Sequence, residues 1–221
     1  MEAVEKQAID QTIVFVKKTL ENAEAGHDWW HVYRVWCTAK TIAKHETCNT
    51  LVVELAALLH DIADQKFHNG NEELAPQMAN DFLESIGVDT ETVEQVVKII
   101  QHVSFKGGNY KSSYISKELE IVQDADRLDA MGAIGIARTF NYGGYRNRIM
   151  YDPAIPPNLN MTKEEYKNST RPTLNHFYEK LLMLKDRMHT QTGRRLAENR
   201  HNFMELYLEQ FYEEWEGESS Q

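Results

Sequence analysis

The stretch that decides the fold runs from Leu51 to Asp61 and reads LVVELAALLHD. Apolar residues occupy almost every side of a helix built from Leu51–Leu59, and a helix of that kind is buried all round. We therefore expect this segment at the centre of a helical bundle. The two residues that end the stretch, His60 and Asp61, are costly to bury without a partner. Either the helix ends there and both side chains face water, or both belong to a buried site.

Helical periodicity continues through most of the chain. Apolar positions recur every three or four residues in 2–21, which indicates an amphipathic helix. Asp28 suits the N-cap of a second helix, and Thr162 with Glu165 matches the S/T-x-x-E capping box. Further helices are predicted at about 72–86, 89–103 and 118–141 and, within a C-terminal helical region at about 162–216, at 172–190 and 193–215. Little sequence is left for strands, and no linker rich in Ser, Gly or Pro divides the chain. We predict an all-α fold in a single domain over residues 1–221.

Composition and charge exclude several classes of protein. The chain has 221 residues, 42% of them hydrophobic, which is enough for a real core and rules out disorder. Its formal net charge of −10 opposes binding to nucleic acid or to an anionic membrane. Cys37 and Cys48 are too few for a disulfide framework, and no apolar stretch reaches about 18 residues. We expect a soluble, cytoplasmic protein without a nucleic-acid or membrane partner.

Three predicted helices place an imidazole or a carboxylate on their inner faces. His31 falls beside the apolar stripe of the second helix, and small and apolar residues surround Asp126 in a later one. His60 and Asp61 end the central helix. Buried groups of this kind need a partner. Neutral imidazole and carboxylate together suit Mn, Fe, Ni or Zn, whereas Mg prefers an all-oxygen shell.

These residues resemble the pattern of a known family, the HD-domain metal-dependent phosphohydrolases, defined by the order His … His-Asp … Asp. The matching residues are His31, His60, Asp61 and Asp126. The flanking sequences GHDWWHVYRV, ALLHDIAD and DADRLD look like the motifs of a bacterial stand-alone branch, of which some members cleave nucleoside triphosphates to monophosphate and pyrophosphate. The resemblance implies an HD-type helical bundle with its metal-binding core at about 26–144. It also implies one divalent ion held by the four matching side chains, with Mn expected and Ni, Co, Fe, Zn or Mg as alternatives.

The resemblance also assigns a catalytic role to Asp64. This residue lies three positions after Asp61, so a helix that continued for one more turn would carry both carboxylates on one face. We expect Asp64 to orient or deprotonate the attacking water. Members of the family often carry Glu at this position, and Asp is one methylene shorter. The alternative is a solvated carboxylate at a helix end.

A polyphosphate substrate needs cations near its bridging and leaving oxygens. Cations outnumber acids in residues 106–148 although the whole chain is acidic. Lys66 and Lys106 follow helices that we expect to end near the metal, and we assign both to substrate binding. His102 ends an apolar helix and is expected to contact a phosphate or the leaving group, and His27 could reach the same site. The alternatives are surface lysines and structural histidines.

A long loop is predicted at about 141–160, where Gly and Pro are frequent and no helical period is visible. Such a loop could close over the site as a lid. Its aromatic residues lie beside two arginines, and we hypothesise that they stack on a base. They are Tyr142, Tyr145 and Tyr151, with Arg146 and Arg148.

Two other sets of residues are not expected to take part in catalysis. Aromatic residues near the C-terminus fit one helix stripe, which predicts either core or the surface of a homodimer. They are Phe203, Tyr207, Phe211, Tyr212 and Trp215. Four histidines lie among charged residues and are expected on solvated faces: His45, His176, His189 and His201.

The sequence therefore predicts a metal-dependent phosphohydrolase for a small-molecule nucleotide. The expected reaction is hydrolysis of a nucleoside or deoxynucleoside triphosphate to monophosphate and pyrophosphate by a metal-activated water. A nucleotide phosphodiesterase, a 5′-nucleotidase or a guanosine alarmone hydrolase would use the same ligands and stays open as an alternative. A non-catalytic nucleotide-sensing protein is the alternative of a different class. Asp64 argues against it, because such a protein needs no acid to orient water.

Overall fold

The computed structural model describes residues 3–23, 26–63, 73–103, 114–162, 164–165 and 168–217. Within these ranges the chain is helical and contains no strand, which confirms the predicted all-α class. None of the described helices is long and apolar enough to cross a membrane. The elements are α1 (Ala3–Thr19), α2 (Trp29–Ala43), α3 (Thr50–Leu59), α4 (Leu74–Ser85), α5 (Thr90–Val103), α6 (Lys117–Asp129), α7 (Gly132–Tyr145), α8 (Asn175–Glu179), a 3₁₀ helix (Leu181–Arg187) and α9 (Gln191–Glu216).

The chain groups into two compact units, residues 1–126 and residues 127–221. The single-domain organisation predicted for residues 1–221 stays a prediction.

Helix α3 is the centre of the first unit. Every residue from Val52 to Leu59 is buried, and Leu58 has no exposed surface. Helices α1, α2 and α5 pack against α3, and α4 packs against α5. An apolar sequence on all sides fits this position, because each side of α3 meets another part of the unit. Glu54 is the one polar residue between Val52 and Leu59, and it accepts a hydrogen bond from Trp36 Nε1 at 2.9 Å.

Side-chain caps fix where α2 and α3 begin. Asp28 Oδ1 accepts the backbone N–H of His31 at 3.0 Å, which confirms the predicted N-cap. Asn49 Oδ1 accepts the N–H of Leu51 at 3.1 Å. Both caps satisfy N–H groups that lack a partner within their helix. As a result His31 lies in the first turn of α2, and His60 directly follows α3.

The second unit contains α7, α8, the 3₁₀ helix and α9, and both α7 and the 3₁₀ helix pack against α9. The structure interrupts the helix predicted at 118–141: α6 ends at Asp129, and Gly132 starts α7 with a φ of +70°. Glycine adopts this left-handed φ at little cost, and one such residue breaks a run of helical dihedrals. Helix α7 then continues to Tyr145, so the loop predicted at 141–160 begins five residues later than expected.

The C-terminal region also differs in part from the prediction. The short α8 and the 3₁₀ helix replace the single helix expected at 172–190. Helix α9 is close to the helix predicted at 193–215 and ends at Glu216, where it is capped by Gly217, whose φ is +73°. The predicted capping box is confirmed: the N–H and hydroxyl of Thr162 donate to Glu165 Oε2 at 2.7 and 2.8 Å, and the N–H of Glu165 donates to Thr162 Oγ1 at 3.2 Å.

The aromatic stripe of α9 packs within the second unit. The ring of Tyr207 stacks on Phe177 with centroids 5.9 Å apart, and Phe177 is completely buried. This contact confirms a core role for part of the stripe. Phe203 and Trp215 are about half exposed, and the homodimer stays a prediction.

The three tyrosines of the predicted loop lie in different surroundings. Tyr151 lies in the loop after α7 and packs against Trp215 of α9, with ring centroids 5.0 Å apart. Tyr142 and Tyr145 lie on α7 and are exposed. The guanidinium of Arg148 is 5.7 Å from the centre of the Tyr142 ring. Base stacking stays a prediction for all three tyrosines.

Two of the four histidines expected on solvated faces lie elsewhere, whereas His45 and His189 are exposed as expected. His201 is only 5% exposed, because the helical period of α9 places it on the inner face of that helix. The other buried residues of this face are Ala197, Met204 and Leu208. His176 is half-buried. The pKa of His176 is lowered to about 3, mainly by burial and to a smaller extent by the positive charges of Lys180 and Arg148.

Candidate metal centre

Two imidazoles and a carboxylate from three helices come together within the first unit. His31 comes from the first turn of α2, His60 from the residue after α3, and Asp126 from the last turn of α6. One ligand atom from each of them lies within 4.8 Å of the other two. Asp126 Oδ1 is 3.6 Å from His31 Nε2 and 3.9 Å from His60 Nε2. The side chains of both histidines are almost completely buried, whereas that of Asp126 is 37% exposed.

The orientation of His60 suits a metal ligand. Its Nδ1–H donates to the carbonyl oxygen of Ala57 at 2.8 Å, which leaves the lone pair of a neutral ring on Nε2. That Nε2 lies 3.3 Å from His31 Nε2. A backbone carbonyl that holds the second ring nitrogen is a common feature of histidines that bind metals.

The separations between these atoms fit one divalent ion. Two ligands that are each about 2.1 Å from the same ion lie about 3.0 to 3.4 Å apart at angles between 90° and 109°. The two imidazole nitrogens, 3.3 Å apart, already fall in this range. Asp126 Oδ1 is a few tenths of an ångström further out, and its partly exposed side chain has room to adjust. His31, His60 and Asp126 could therefore hold a metal ion.

Asp61, the fourth residue of the pattern, is oriented by a different partner. Its Oδ2 lies 3.8 Å from His31 Nε2 and accepts a hydrogen bond from His27 Nδ1 at 2.6 Å. Burial by itself raises the pKa of the Asp61 carboxyl. The hydrogen bond from His27 and the nearby imidazoles of His60 and His31 outweigh burial, and the pKa lies below its ordinary value. Asp61 is thus an ionised carboxylate beside the cluster, although it is not one of the three residues within 4.8 Å of one another.

The other predicted site residues divide into two groups. Asp64, Lys66 and Lys106 lie outside the described residues. His102 is half-buried at the end of α5, where its Nδ1–H donates to the carbonyl oxygen of Lys98 at 2.8 Å.

Sequence reasoning missed one residue of this region, Gln123. Its side-chain Nε2–H donates to the backbone carbonyl of His102 at 2.9 Å and so ties the end of α5 to α6. Gln123 precedes Asp126 by three residues and shares its side of the helix. That spacing was visible in the sequence, but its partner, 21 residues away, was not.

Comparisons with known proteins show the family and the fold. The model of the HD domain family matches residues 29–131. The uncharacterized protein YpgQ of Bacillus subtilis is 38% identical over 206 residues, which cover 93% of this chain and 92% of YpgQ. Among solved structures, an HD-superfamily hydrolase from Bacillus thuringiensis is 45% identical, with a TM-score of 0.78 over 96% of this chain and 98% of its own. The structure of YpgQ in complex with ADP is 34% identical, with a TM-score of 0.76 over 96% of each chain.

An all-helical fold with histidines and acidic residues at the meeting point of three helices defines a class, the metal-dependent hydrolases of HD type. The chain belongs to the HD superfamily of hydrolases. The resemblance to the HD superfamily inferred from its motifs is thereby confirmed, whereas the likeness to nucleoside triphosphate pyrophosphohydrolases stays a prediction.

Proposed function

We propose that this protein is a nucleotide pyrophosphohydrolase, which hydrolyses nucleoside or deoxynucleoside triphosphates to monophosphate and pyrophosphate. The observation that carries the proposal is the convergence of His31 Nε2, His60 Nε2 and Asp126 Oδ1 in an HD domain. The ADP complex of YpgQ supports a nucleotide as the ligand.

A bound divalent ion would be held by His31, His60, Asp61 and Asp126. Two neutral imidazoles and two carboxylates carry two negative charges, which one divalent ion balances. The mixture of nitrogen and oxygen ligands favours Mn over Mg, with Fe, Co, Ni and Zn as competitors. A bound ion of this type would supply Lewis acidity at a phosphate oxygen and would lower the pKa of water.

The reaction itself is an in-line displacement. Water attacks the α-phosphorus, the bond from that phosphorus to the bridging oxygen breaks, and pyrophosphate leaves with the bonding electrons. Asp64 is proposed to orient the water and to take up its proton. Lys66 and Lys106 are proposed to offset negative charge on the phosphates.

His102 is proposed to contact a phosphate oxygen. Because the Nδ1–H of His102 donates to the carbonyl of Lys98, this contact would need a ring protonated on both nitrogens, whose Nε2–H donates to the phosphate oxygen. The hydrogen bond from Gln123 supports this assignment, since it links the end of α5 to the side of α6 that carries Asp126. Direct contact between His27 and substrate stays a prediction from the sequence.

The test is hydrolysis by apo protein reconstituted separately with Mn, Co, Ni, Zn or Mg. The substrates are nucleoside tri-, di- and monophosphates, cyclic nucleotides and guanosine alarmones, with phosphate and pyrophosphate detected separately. We expect pyrophosphate from triphosphates, with activity lost in His60→Ala and in Asp126→Ala. His45→Ala, which removes an exposed histidine, is the matched control and should behave as wild type.

Other products would overturn the proposal in favour of a named alternative. Phosphate from monophosphates would indicate a 5′-nucleotidase, and cleavage of cyclic nucleotides a phosphodiesterase. Turnover of alarmones alone would indicate an alarmone hydrolase. Binding of nucleotide without turnover by any metal-loaded form would indicate the non-catalytic sensor.

A further inference from the structure

The contact between His27 and Asp61 joins a candidate ligand to a residue outside the HD pattern. His27 precedes the residues matched by the HD domain model, which begin at position 29. Its Nδ1 lies 2.6 Å from Asp61 Oδ2, which is at the short end for a hydrogen bond from nitrogen, and bonds to ionised carboxylates are shorter than those between neutral groups. The side chain of Asp61 is 15% exposed and that of His27 is 32% exposed, so the hydrogen bond is partly protected from water.

Asp61 lies outside regular helical structure. Helix α3 ends at Leu59, so Asp61 lies in the turn that follows and not within a regular helix. Its Oδ2 is 3.8 Å from His31 Nε2. Asp61 is nevertheless not among the residues whose ligand atoms all lie within 4.8 Å of one another, which are His31, His60 and Asp126. A carboxylate in a turn can rotate away from a site unless another group fixes it, and this position brings it beside His31.

The start of α2 anchors His27. The next residue, Asp28, caps α2 by accepting the N–H of His31, which fixes the chain just before the helix. The rings of His27 and His31 meet edge to face with centroids 6.0 Å apart. The same helix start therefore positions His31, a candidate ligand, and His27, the partner of Asp61.

We propose that His27 is a positioning residue, which holds Asp61 Oδ2 beside His31 so that Asp61 completes the metal site. This inference rests on the proposed function. A carboxylate oxygen has two lone pairs, so Oδ2 can accept the Nδ1–H of His27 and still face an ion, and Oδ1 remains as a further ligand atom. Residues that orient a metal ligand in this way typically change metal affinity by about 10- to 100-fold when they are removed.

Two substitutions separate positioning from a general effect on packing. His27→Ala removes the donor. His27→Asn keeps an N–H donor close to the position of Nδ1, and should rescue the contact. His27→Gln places its amide near the position of Nε2, so it should not rescue, and it replaces His27→Ala should the alanine variant fail to fold.

The experiment measures Mn²⁺ affinity of the apo proteins by titration calorimetry and by loss of the free-Mn²⁺ electron paramagnetic resonance signal. We expect His27→Ala to weaken binding by about 10- to 100-fold and His27→Asn to stay within about threefold of wild type. His45→Ala should match wild type. In steady-state assays at saturating Mn²⁺, His27→Ala should recover most of its kcat with KM for nucleotide unchanged.

Two results would overturn the positioning role. Unchanged Mn²⁺ affinity in His27→Ala, with a raised KM, would make His27 a substrate contact. Equal losses in His27→Ala and His27→Asn would show that the ring matters only for packing. His60→Ala is the reference for the metal centre itself. If this variant binds Mn²⁺ as tightly as wild type does, the proposed metal centre is wrong. If it binds Mn²⁺ more weakly, the results for His27 bear only on the role of His27.

Discussion

Replacing Asp126 by Asn is the sharpest perturbation of the candidate centre. Asparagine keeps the shape of the side chain and removes the only formal negative charge among the three groups that converge. In the apo protein we expect a change in the free energy of unfolding below about 1 kcal/mol, because the carboxylate is 37% exposed and water screens it. The effect should therefore emerge only when metal is added.

The size of the effect follows from linkage between binding and folding. Metal at 100 times its Kd stabilises a folded protein by about 2.7 kcal/mol. Loss of a residue that merely supports a ligand weakens metal binding by about 10- to 100-fold, and loss of a charged ligand should reach at least the upper value. At the same metal concentration Asp126→Asn would then retain about 0.4 kcal/mol of that stabilisation. For a chain of this length the difference of about 2.3 kcal/mol corresponds to about 5 to 9 °C in Tm.

The assay is calorimetric unfolding of EDTA-stripped, dialysed protein, with and without Mn²⁺. Wild type should show the full rise in Tm, and Asp126→Asn should show a small fraction of it. Asp10→Asn removes an exposed carboxylate on α1 and is the matched control, for which we expect the wild-type rise. An equal rise in wild type and Asp126→Asn, or no rise in wild type, would refute the reasoning that Asp126 is a ligand.

Three further predictions concern folding. Leu58→Ala should lower the free energy of unfolding by about 2–5 kcal/mol in urea titrations, because this side chain is completely buried in α3; a loss below about 1 kcal/mol would contradict its central position. The pKa of His176 falls from 6.5 in the unfolded chain to about 3 in the folded one, so the unfolded state takes up its proton first. The free energy of unfolding should therefore fall by about 1–2 kcal/mol as the pH is lowered from 7 to 5. His176→Gln should abolish this decrease. Gly87 and Gly132 both have positive φ, but an added Cβ meets nothing within 4 Å at Gly87 and lies 3.0 Å from Arg200 Cγ at Gly132. We expect Gly87→Ala to lower the free energy of unfolding by about 1–2 kcal/mol and Gly132→Ala to lower it by more. Equal losses in the two variants would show that the contact with Arg200 is irrelevant.

Several features of the fold could be predicted from short stretches of sequence. The central position of α3 could be predicted because an apolar face on every side leaves no place for that helix except the interior. The N-cap at Asp28 and the capping box at Thr162 and Glu165 could be predicted because a cap depends on residues two or three positions apart. The break before Gly132 could not be predicted from the sequence. A glycine within a helical pattern can continue the helix or end it by adopting a left-handed φ.

The sequence by itself determined which chemical groups are available and where each lies along its helix: the imidazoles of His31 and His60 and the carboxylates of Asp61 and Asp126. Tertiary structure decided which of them meet. The pairing of Asp61 with His27 joins residues 34 positions apart, and that of Gln123 with His102 joins residues 21 positions apart. Periodicity reports which face of a helix is buried, whereas the packing of one helix against another determines which side chains come within hydrogen-bonding distance.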